Sequence, residues 1–270
     1  MILLGVMGNP IEHSRSPEIH LEFARQHQLQ IEYEKLLVPE NGFKDVAKTF
    51  LERGSLGFNV TLPNKGDAYQ YVDQLSVGAK ASQSVNTVVV EASGRLTGHN
   101  TDGLGLSRDI QSNLSWGIEG KSVLILGAGG AVRGVMASII KMKPGQLHVY
   151  NRTLEKAIQL EKQHPSTCLK AVPVQNLLEG YDFVISGTSA GLLGGEIGLP
   201  SKIIGANTLC YDMIYAQTKT PFQTWCDRHN CQESVDGLGM LIEQAAQAFK
   251  LWTDCEVNTD AVIQKLRYTI

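Results

Sequence analysis

The most specific chemical pattern in the chain lies between residues 122 and 156. Ser122-Val123-Leu124-Ile125-Leu126 is a buried-strand run that leads directly into Gly127-Ala128-Gly129-Gly130-Ala131. Val132, Val135, Met136, Ile139 and Ile140 then recur at helical spacing, and Leu147-His148-Val149-Tyr150 reads as a second strand. Strand, glycine-rich turn, helix and strand in that order are what dinucleotide binding requires. Glycine lets the backbone turn sharply and approach a pyrophosphate, whose charge meets free N–H groups and the positive end of the helix dipole. Without that context the same glycines would be a structural turn of an α/β domain. At the end of the second strand, where an NAD enzyme places a carboxylate for the adenosine ribose, stand Asn151-Arg152-Thr153. A carboxylate would repel a 2′-phosphate, whereas Arg152, with Lys156 one turn further on, can pair with it, so the pattern points to NADP. The plainer use of the same residues is that Thr153 caps the next helix and Arg152 faces solvent, and a helix N-terminus can serve both purposes.

A second set of polar residues stands at the ends of apolar elements in the first part of the chain: Ser14, Ser16, Thr61, Lys65, Asn86 and Asp102. Taken singly, these have structural uses, Ser16 as a helix N-cap, Asp102 as the cap of a helix after Gly103, and Lys65 as a solvated lysine. His13, His20 and His27 recur every seven residues. On one helix His20 and His27 would stand about 10.5 Å apart along the axis, too far to share an ion, so no metal site is expected.

The elements that must position these residues alternate between short apolar strands and helical stretches, the pattern of an α/β protein with mostly parallel sheet. A strand over 2–7 runs into Gly8-Asn9-Pro10. A helix follows, with Ser16 as N-cap, Pro17 in the favoured first position and Ile19, Phe23 and Ala24 on its apolar face. Residues 57–61 read as another strand. Residues 86–91 and 95–99 read as a hairpin joined at Ala92-Ser93-Gly94. From Gly120 the strand, turn and helix order marks a second domain. Leu238, Leu241, Ile242, Ala245, Phe249 and Trp252 describe a helix of about four turns, and a last helix runs over 259–267 with Lys265 and Arg267 suiting its C-terminal dipole.

Composition narrows the class. The 270 residues suffice for two domains, and 43% hydrophobic with 19% charged residues is a globular balance. A net charge of −3 offers no broad basic surface, so neither nucleic acid nor an anionic membrane is an expected partner. The five cysteines form no C-x-x-C pair and are expected as reduced thiols. The first residues lack a cationic, apolar leader, and no apolar run approaches the ~20 residues of a membrane helix, which sets the expectation of a cytoplasmic protein.

Gly8-Asn9-Pro10 with His13-Ser14-Arg15-Ser16-Pro17 resembles the opening signature of the shikimate dehydrogenase family. The likeness continues through Asn59-Val60-Thr61-Leu62-Pro63-Asn64-Lys65, Asn86-Thr87 and Asn100-Thr101-Asp102-Gly103. Asp212-Met213-Ile214-Tyr215, Thr220-Pro221-Phe222 and Asp236-Gly237-Leu238-Gly239-Met240-Leu241 with Gln244 extend it over nearly the whole chain.

The resemblance implies reversible reduction of 3-dehydroshikimate to shikimate by NADPH, in the biosynthesis of aromatic amino acids. It makes Lys65 and Asp102 the catalytic pair. A ketone under reduction builds negative charge on oxygen, which an ammonium can stabilise and protonate while a carboxylate orients it. Ser14 and Ser16 would hold the substrate carboxylate, and Thr61, Asn86, Tyr215 and Gln244 its hydroxyls. Gly127 to Ala131, Asn151, Arg152, Thr153 and Lys156 would take the cofactor. Met213 and Gly237 would line the nicotinamide, and Thr188 and Ser189 fall in a loop of the cofactor domain. The expected architecture is α/β with two domains. Residues 1–102, completed by C-terminal helices over 238–270, bind substrate, and residues 103–237 form a Rossmann-like NADP domain, the whole acting as a monomer or homodimer. The chain departs from the family at Ser186-Gly187-Thr188-Ser189, where Asn-Ala-Thr-Ser is frequent, and at Asn64, where an aromatic residue or histidine is common. Two alternatives remain: a quinate/shikimate dehydrogenase of broader NAD and NADP use, and a non-catalytic NADP-binding module.

Overall fold

Residues that are apolar on both sides of a strand must be covered on both sides, and the run at 122–126 shows how this chain does it. In the computed structural model, which describes residues 1–188 and 198–268, β7 (Ser122–Leu126) sends Val123 and Ile125 into one core and Leu124 and Leu126 into another. The first core is completed by α6 (Gly130–Lys141) through Val132, Val135, Met136 and Ile139, and by Leu147 and Val149 of β8 (Gln146–Tyr150). The second includes Cys210 of β11 (Leu209–Asp212) with Phe222 and Cys226 of α8 (Pro221–Arg228). A parallel strand buried on both faces therefore reads as an uninterrupted apolar run.

The described residues form two compact units, one within Leu106–Leu241 and the other Met1–Gly105 with 242–268. In the first of these, α7 (Leu154–Gln163), β9 (Leu169–Ala171), β10 (Phe183–Ser186) and β12 (Glu233–Val235) complete an all-parallel, six-stranded sheet of order β12-β11-β10-β7-β8-β9. Strand order reverses between β7 and β10, the switch point at which sheets of this kind bind ligands.

The other unit carries β1 (Ile2–Gly8), α1 (Ser16–Gln26), β2 (Ile31–Leu37), α2 (Phe43–Glu52) and β3 (Gly57–Val60), followed by α3 (Lys65–Tyr71), β4 (Gln74–Leu75), α4 (Val77–Ser82), β5 (Thr87–Val90) and β6 (Leu96–His99). Its six strands run β2-β1-β3-β5-β6-β4. β1 is parallel to β2 and β3 and β4 is parallel to β6, while β5 is antiparallel to β3 and β6, so pairing is mostly parallel with the expected hairpin set into it. The tight 91–95 turn makes β5 and β6 antiparallel, since only antiparallel neighbours can be joined so briefly. One face packs Met7, Phe43, Phe50, Phe58 and Val88. The other packs Leu4, Val6 and Tyr33 against Ala248 and Trp252 of α9 (Leu238–Thr253). The Trp252 indole donates to the Val88 carbonyl at 2.9 Å, and Gly57 permits that approach, because a Cβ there would lie within 2.4 Å of the indole nitrogen.

α5 (Asp102–Arg108) and α9 each contain one of the divisions between units, and α10 (Thr259–Tyr268) closes the chain. The α1 start differs by one residue from the expected cap. Arg15 occupies the N-cap position, its carbonyl receiving the Ile19 N–H at 3.1 Å, so Ser16 is already helical and its side chain is free of capping duty. No described helix is long and apolar enough to cross a membrane, and the five cysteines are unpaired.

Candidate active site

Lys65 is the first residue of α3 and Asp102 the first of α5, two helix starts separated by 37 residues in sequence. The fold brings them together. Lys65 Nζ donates to Asp102 Oδ2 at 2.6 Å, with the two side chains only 19% and 9% exposed. The other carboxylate oxygen accepts from Asn86 Nδ2 at 2.8 Å, and the Asp102 N–H donates to Asn100 Oδ1 at 3.1 Å. The Asn86 amide has a fixed sense, because its Oδ1 receives the Thr101 backbone N–H at 2.9 Å and an N–H can only donate. Its NH₂ is thereby turned to Asp102 and also reaches Gln244 Oε1 at 3.1 Å. An ammonium, a carboxylate and two amides from four places in the chain thus share one hydrogen-bonded cluster.

Ser14 and Ser16 form a second cluster in the same unit, their hydroxyls 3.3 Å apart. A buried chain joins it to the first. The Ser16 hydroxyl bonds that of Tyr33, Tyr33 donates to Asn59 Oδ1 at 2.6 Å, and Asn59 Nδ2 donates to the Asn86 carbonyl at 3.1 Å and to Thr87 Oγ1 at 3.0 Å. His20, fully buried and stacked on Tyr33 at 4.6 Å, gives its Nε2–H to the same Asn59 oxygen at 3.1 Å. Burial pushes the His20 imidazole down to about 3, so it is neutral, and burial raises the Tyr33 phenol. Thr61 follows β3 directly, its N–H on the Met7 carbonyl. Asn64 is buried at the N-cap of α3 and donates to Asp67 at 2.8 Å, while its Oδ1 has no partner among the described residues.

The other unit holds a cavity of about 570 Å³ at the strand-order switch, lined by Gly127, Ala128, Gly129, Asn151, Arg152, Ser186, Gly187 and Thr188 and reached by Tyr150 and Phe222. Gly127 adopts φ +105°, a conformation that favours glycine, and a Cβ there would come within 2.9 Å of the Thr188 methyl. A Cβ at Gly129 would meet nothing within 4 Å, so the backbone is open to a ligand at the start of α6, where Gly130 and Ala131 form the first turn. This cradle fits a pyrophosphate. Thr153 is the N-cap of α7 without a side-chain cap bond, and Asn151 Nδ2 donates to its carbonyl at 2.8 Å. Lys156 lies in the first turn of α7; neither it nor Thr153 lines the cavity. Ser189 lies outside the described residues.

Met213, Tyr215 and Gly237 are gathered around the loop after β11. The Gly237 N–H donates to the Ile214 carbonyl at 3.0 Å, and a Cβ on Gly237 would fall 2.4 Å from the Met213 carbonyl oxygen. Tyr215 is half-buried there, in a different unit from the other expected substrate contacts. Sequence reasoning passed over Tyr33, which lies in no motif, and gave no role to Asn59 and Thr101, whose signal was only their place inside one, or to Phe222, read as part of a signature rather than as a cavity wall.

A parallel sheet with a glycine-lined cavity at its switch point, in a chain that also carries a lysine–carboxylate pair set in amides, defines the class of nicotinamide-dependent dehydrogenases. Family models narrow it. The shikimate dehydrogenase substrate binding domain matches residues 6–88, shikimate / quinate 5-dehydrogenase matches 109–193, and the shikimate 5′-dehydrogenase C-terminal domain matches 237–267. The NADP(+) shikimate dehydrogenase of Alkalilimnicola ehrlichii is 44% identical over 97% of each chain. Among solved structures, an Ael1 enzyme from Pseudomonas putida matches with TM-score 0.93 and 34% identity over 98% of each chain. Shikimate 5-dehydrogenase from Thermus thermophilus, in complex with NADP(H) and shikimate, matches with TM-score 0.88 and 29% identity over the full length of both. The chain belongs to the shikimate dehydrogenase family.

Proposed function

We propose that this protein catalyses the reversible, NADPH-dependent reduction of 3-dehydroshikimate to shikimate on the route to chorismate and the aromatic amino acids. The observation that carries the reading is the 2.6 Å contact of Lys65 with Asp102 inside the Asn86 and Gln244 cluster, in a chain 44% identical to an NADP(+) shikimate dehydrogenase. NADPH, when bound, supplies the hydride, and the residues that would hold it are Gly127 to Ala131 at the pyrophosphate, Asn151, Arg152, Thr153 and Lys156 at the 2′-phosphate, Thr188 and Ser189 in their loop, and Met213 and Gly237 at the nicotinamide.

The remaining steps belong to side chains. Lys65 hydrogen-bonds the substrate carbonyl oxygen and delivers a proton to it as charge builds there, while Asp102 holds the ammonium in line. In the opposite direction Lys65 first gives a proton to solvent through its partly exposed side chain, and the neutral amine then takes the proton of the shikimate hydroxyl as the hydride leaves its carbon. Ser14 and Ser16 bind the substrate carboxylate through neutral donors, and Thr61, Asn86, Tyr215 and Gln244 bind its hydroxyls. In this reading residues 1–102 with the helices of 238–270 are the substrate domain and 103–237 the NADP domain, and the enzyme works in the cytoplasm as a monomer or homodimer without nucleic acid or membrane partners.

The test is the near-ultraviolet absorbance of reduced nicotinamide when purified protein meets shikimate or quinate, each with NADP or NAD. Rapid signal confined to shikimate with NADP is expected. Preference for quinate or NAD would move the assignment to the broader sister activity, and NADP binding without turnover would leave only a binding module.

A further inference from the structure

One buried carboxylate has no part in the chemistry assigned above. Asp212 ends β11 and is 2% exposed, yet it forms no ion pair among the described residues, and the groups that act on it most are neutral donors and the like-charged Asp236. It is met by neutral donors from three segments. The Thr220 hydroxyl lies 2.7 Å from Oδ2, the Ile214 backbone N–H lies 3.2 Å from Oδ1, and the Ser186 hydroxyl comes from the end of β10. Burial without a counter-charge pushes the carboxyl up to about 6, and the neighbouring Asp236 acts in the same direction. A charge held this way costs stability that an apolar or amide side chain would not, so its presence calls for a use.

The hydrogen-bond geometry supplies one. Thr220 is the N-cap of α8. Its oxygen accepts the Gln223 N–H at 3.1 Å, while Gln223 Oε1 accepts the Thr220 N–H at 3.0 Å. Its single hydroxyl proton goes to Asp212. Beside the Ser186 contact, the carboxylate therefore turns one oxygen toward the α8 cap and the other toward the loop. An amide at 212 has one acceptor oxygen, so if that oxygen stays on the Ile214 N–H the NH₂ faces Thr220, whose hydroxyl must then turn from donor to acceptor and give up its charge-assisted bond.

What the carboxylate holds is the 212–215 loop. The Met213 N–H also reaches the Ser186 carbonyl at 2.8 Å, and Met213 Sδ packs where Gly187 leaves room, 3.1 Å from the place a Cβ would occupy. The two departures from the family pattern at 186 and 187 thus both touch this loop. We propose that Asp212 is a positioning residue for hydride transfer: its carboxylate ties the loop that carries Met213 and Tyr215 to the first turn of α8. This rests on the reading of Met213 as a nicotinamide contact and of Tyr215 as a substrate contact. Asp212 itself touches neither ligand.

The test compares Asp212→Asn, Thr220→Val and Thr220→Ser with wild type in steady-state shikimate oxidation and in a direct NADP titration. A misplaced reacting group costs rate more than affinity, so Asp212→Asn and Thr220→Val are each expected to lower kcat by about 10-fold or more. The NADP Kd should stay within about 3-fold, because the pyrophosphate and 2′-phosphate contacts lie elsewhere. Thr220→Ser, which keeps the hydroxyl, should retain wild-type kcat. The double variant Asp212→Asn with Thr220→Val should lose no more than either single one, because one bond is being broken. Unchanged kcat in a folded Asp212→Asn protein overturns the proposal, as does Thr220→Ser failing as badly as Thr220→Val, or a fall in kcat matched by an equal loss of NADP affinity. A wild-type protein that does not oxidise shikimate overturns the functional reading and the positioning role with it, whereas an active wild type beside an unaffected Asp212→Asn overturns the positioning role alone.

Discussion

The two units build their sites from different material. Around Lys65 the working atoms are side chains that fix one another: Asp102 holds the ammonium, Asn86 holds Asp102, and Thr101, Asn59 and Gln244 hold Asn86. Around Gly127 the site is mostly main chain, with glycines that clear space and a helix start that supplies N–H groups. A main-chain site tolerates any side chain that does not fill the space, and it binds a shared feature such as a pyrophosphate. A side-chain cluster is specific to one arrangement of polar groups, and each member depends on the next.

The sharpest way to break that contrast is to remove the ammonium. Lys65→Ala is expected to lower kcat by roughly 10³-fold, the scale of a lost proton donor with its electrostatic stabilisation. NADP affinity should change by less than about 3-fold, since the glycine turn needs nothing from it. Parallel losses in both quantities would show that the two sites are not separable in this way.

The next effect falls on the other unit. Arg152 has no ion-pair partner among the described residues and lines the cavity, and a guanidinium–phosphate contact is a charge-assisted bond of about 1.5–3 kcal/mol. Arg152→Gln should therefore raise the NADP Kd by roughly 10- to 100-fold, leave NAD binding nearly unchanged and leave kcat at saturating NADP close to wild type. A variant that loses NAD and NADP binding equally would remove Arg152 from the 2′-phosphate.

The same contrast explains what could be read from residues alone. The NADP side was visible because its requirement is local: Leu126, Gly127, Gly129 and Arg152 fall within one strand–turn–helix–strand unit whose periodicities announce it. The Lys65 side was visible only through likeness to a family. Residues 65, 86, 102 and 244 have no spacing that predicts contact, since their meeting depends on β3, β5 and β6 pairing and on α9 returning to the same unit. Tyr33 and His20 were invisible for a further reason. Both sit in otherwise apolar surroundings, where an aromatic ring packs as well without its polar atom, and only the folded chain brings their donors together on Asn59. The β5–β6 hairpin was legible from its tight turn, whereas the antiparallel pairing of β5 with β3 was not, because β3 comes from before the hairpin in sequence and its direction is set by tertiary pairing.

Asp212 is a place in the cofactor unit built in the side-chain manner, and pH exposes it. Its folded pKa of about 6 lies above the ordinary 3.8, so the native state binds the proton more tightly than the unfolded chain. That contribution to stability is complete below about pH 3.8 and is lost as the pH rises through about 6. Relative to Asp212→Asn, which has no such group, the wild type should gain on the order of 2 kcal/mol of unfolding free energy between pH 7 and pH 4.5. Denaturant titrations of both proteins across that range measure the difference, and curves that stay parallel would mean that Asp212 is not held in a desolvated, uncompensated state.

The smallest expected effect tests how far the side-chain cluster extends. Tyr33→Phe keeps the ring that stacks on His20 and deletes only the hydroxyl between Ser16 and Asn59. Asn59 Oδ1 keeps the His20 donor, so no buried acceptor is stranded and the cost is that of one net hydrogen bond, about 1 kcal/mol. If Ser16 and Asn86 are held through this chain, the loss appears as a rise of about 5-fold in the KM for shikimate with kcat and the NADP Kd nearly unchanged. If the hydroxyl only satisfies a buried amide, stability falls by the same amount and the KM does not move. The two readouts differ because Ser16 is tied to the chain at one end and is open to substrate at the other, whereas Asn59 is enclosed on every side.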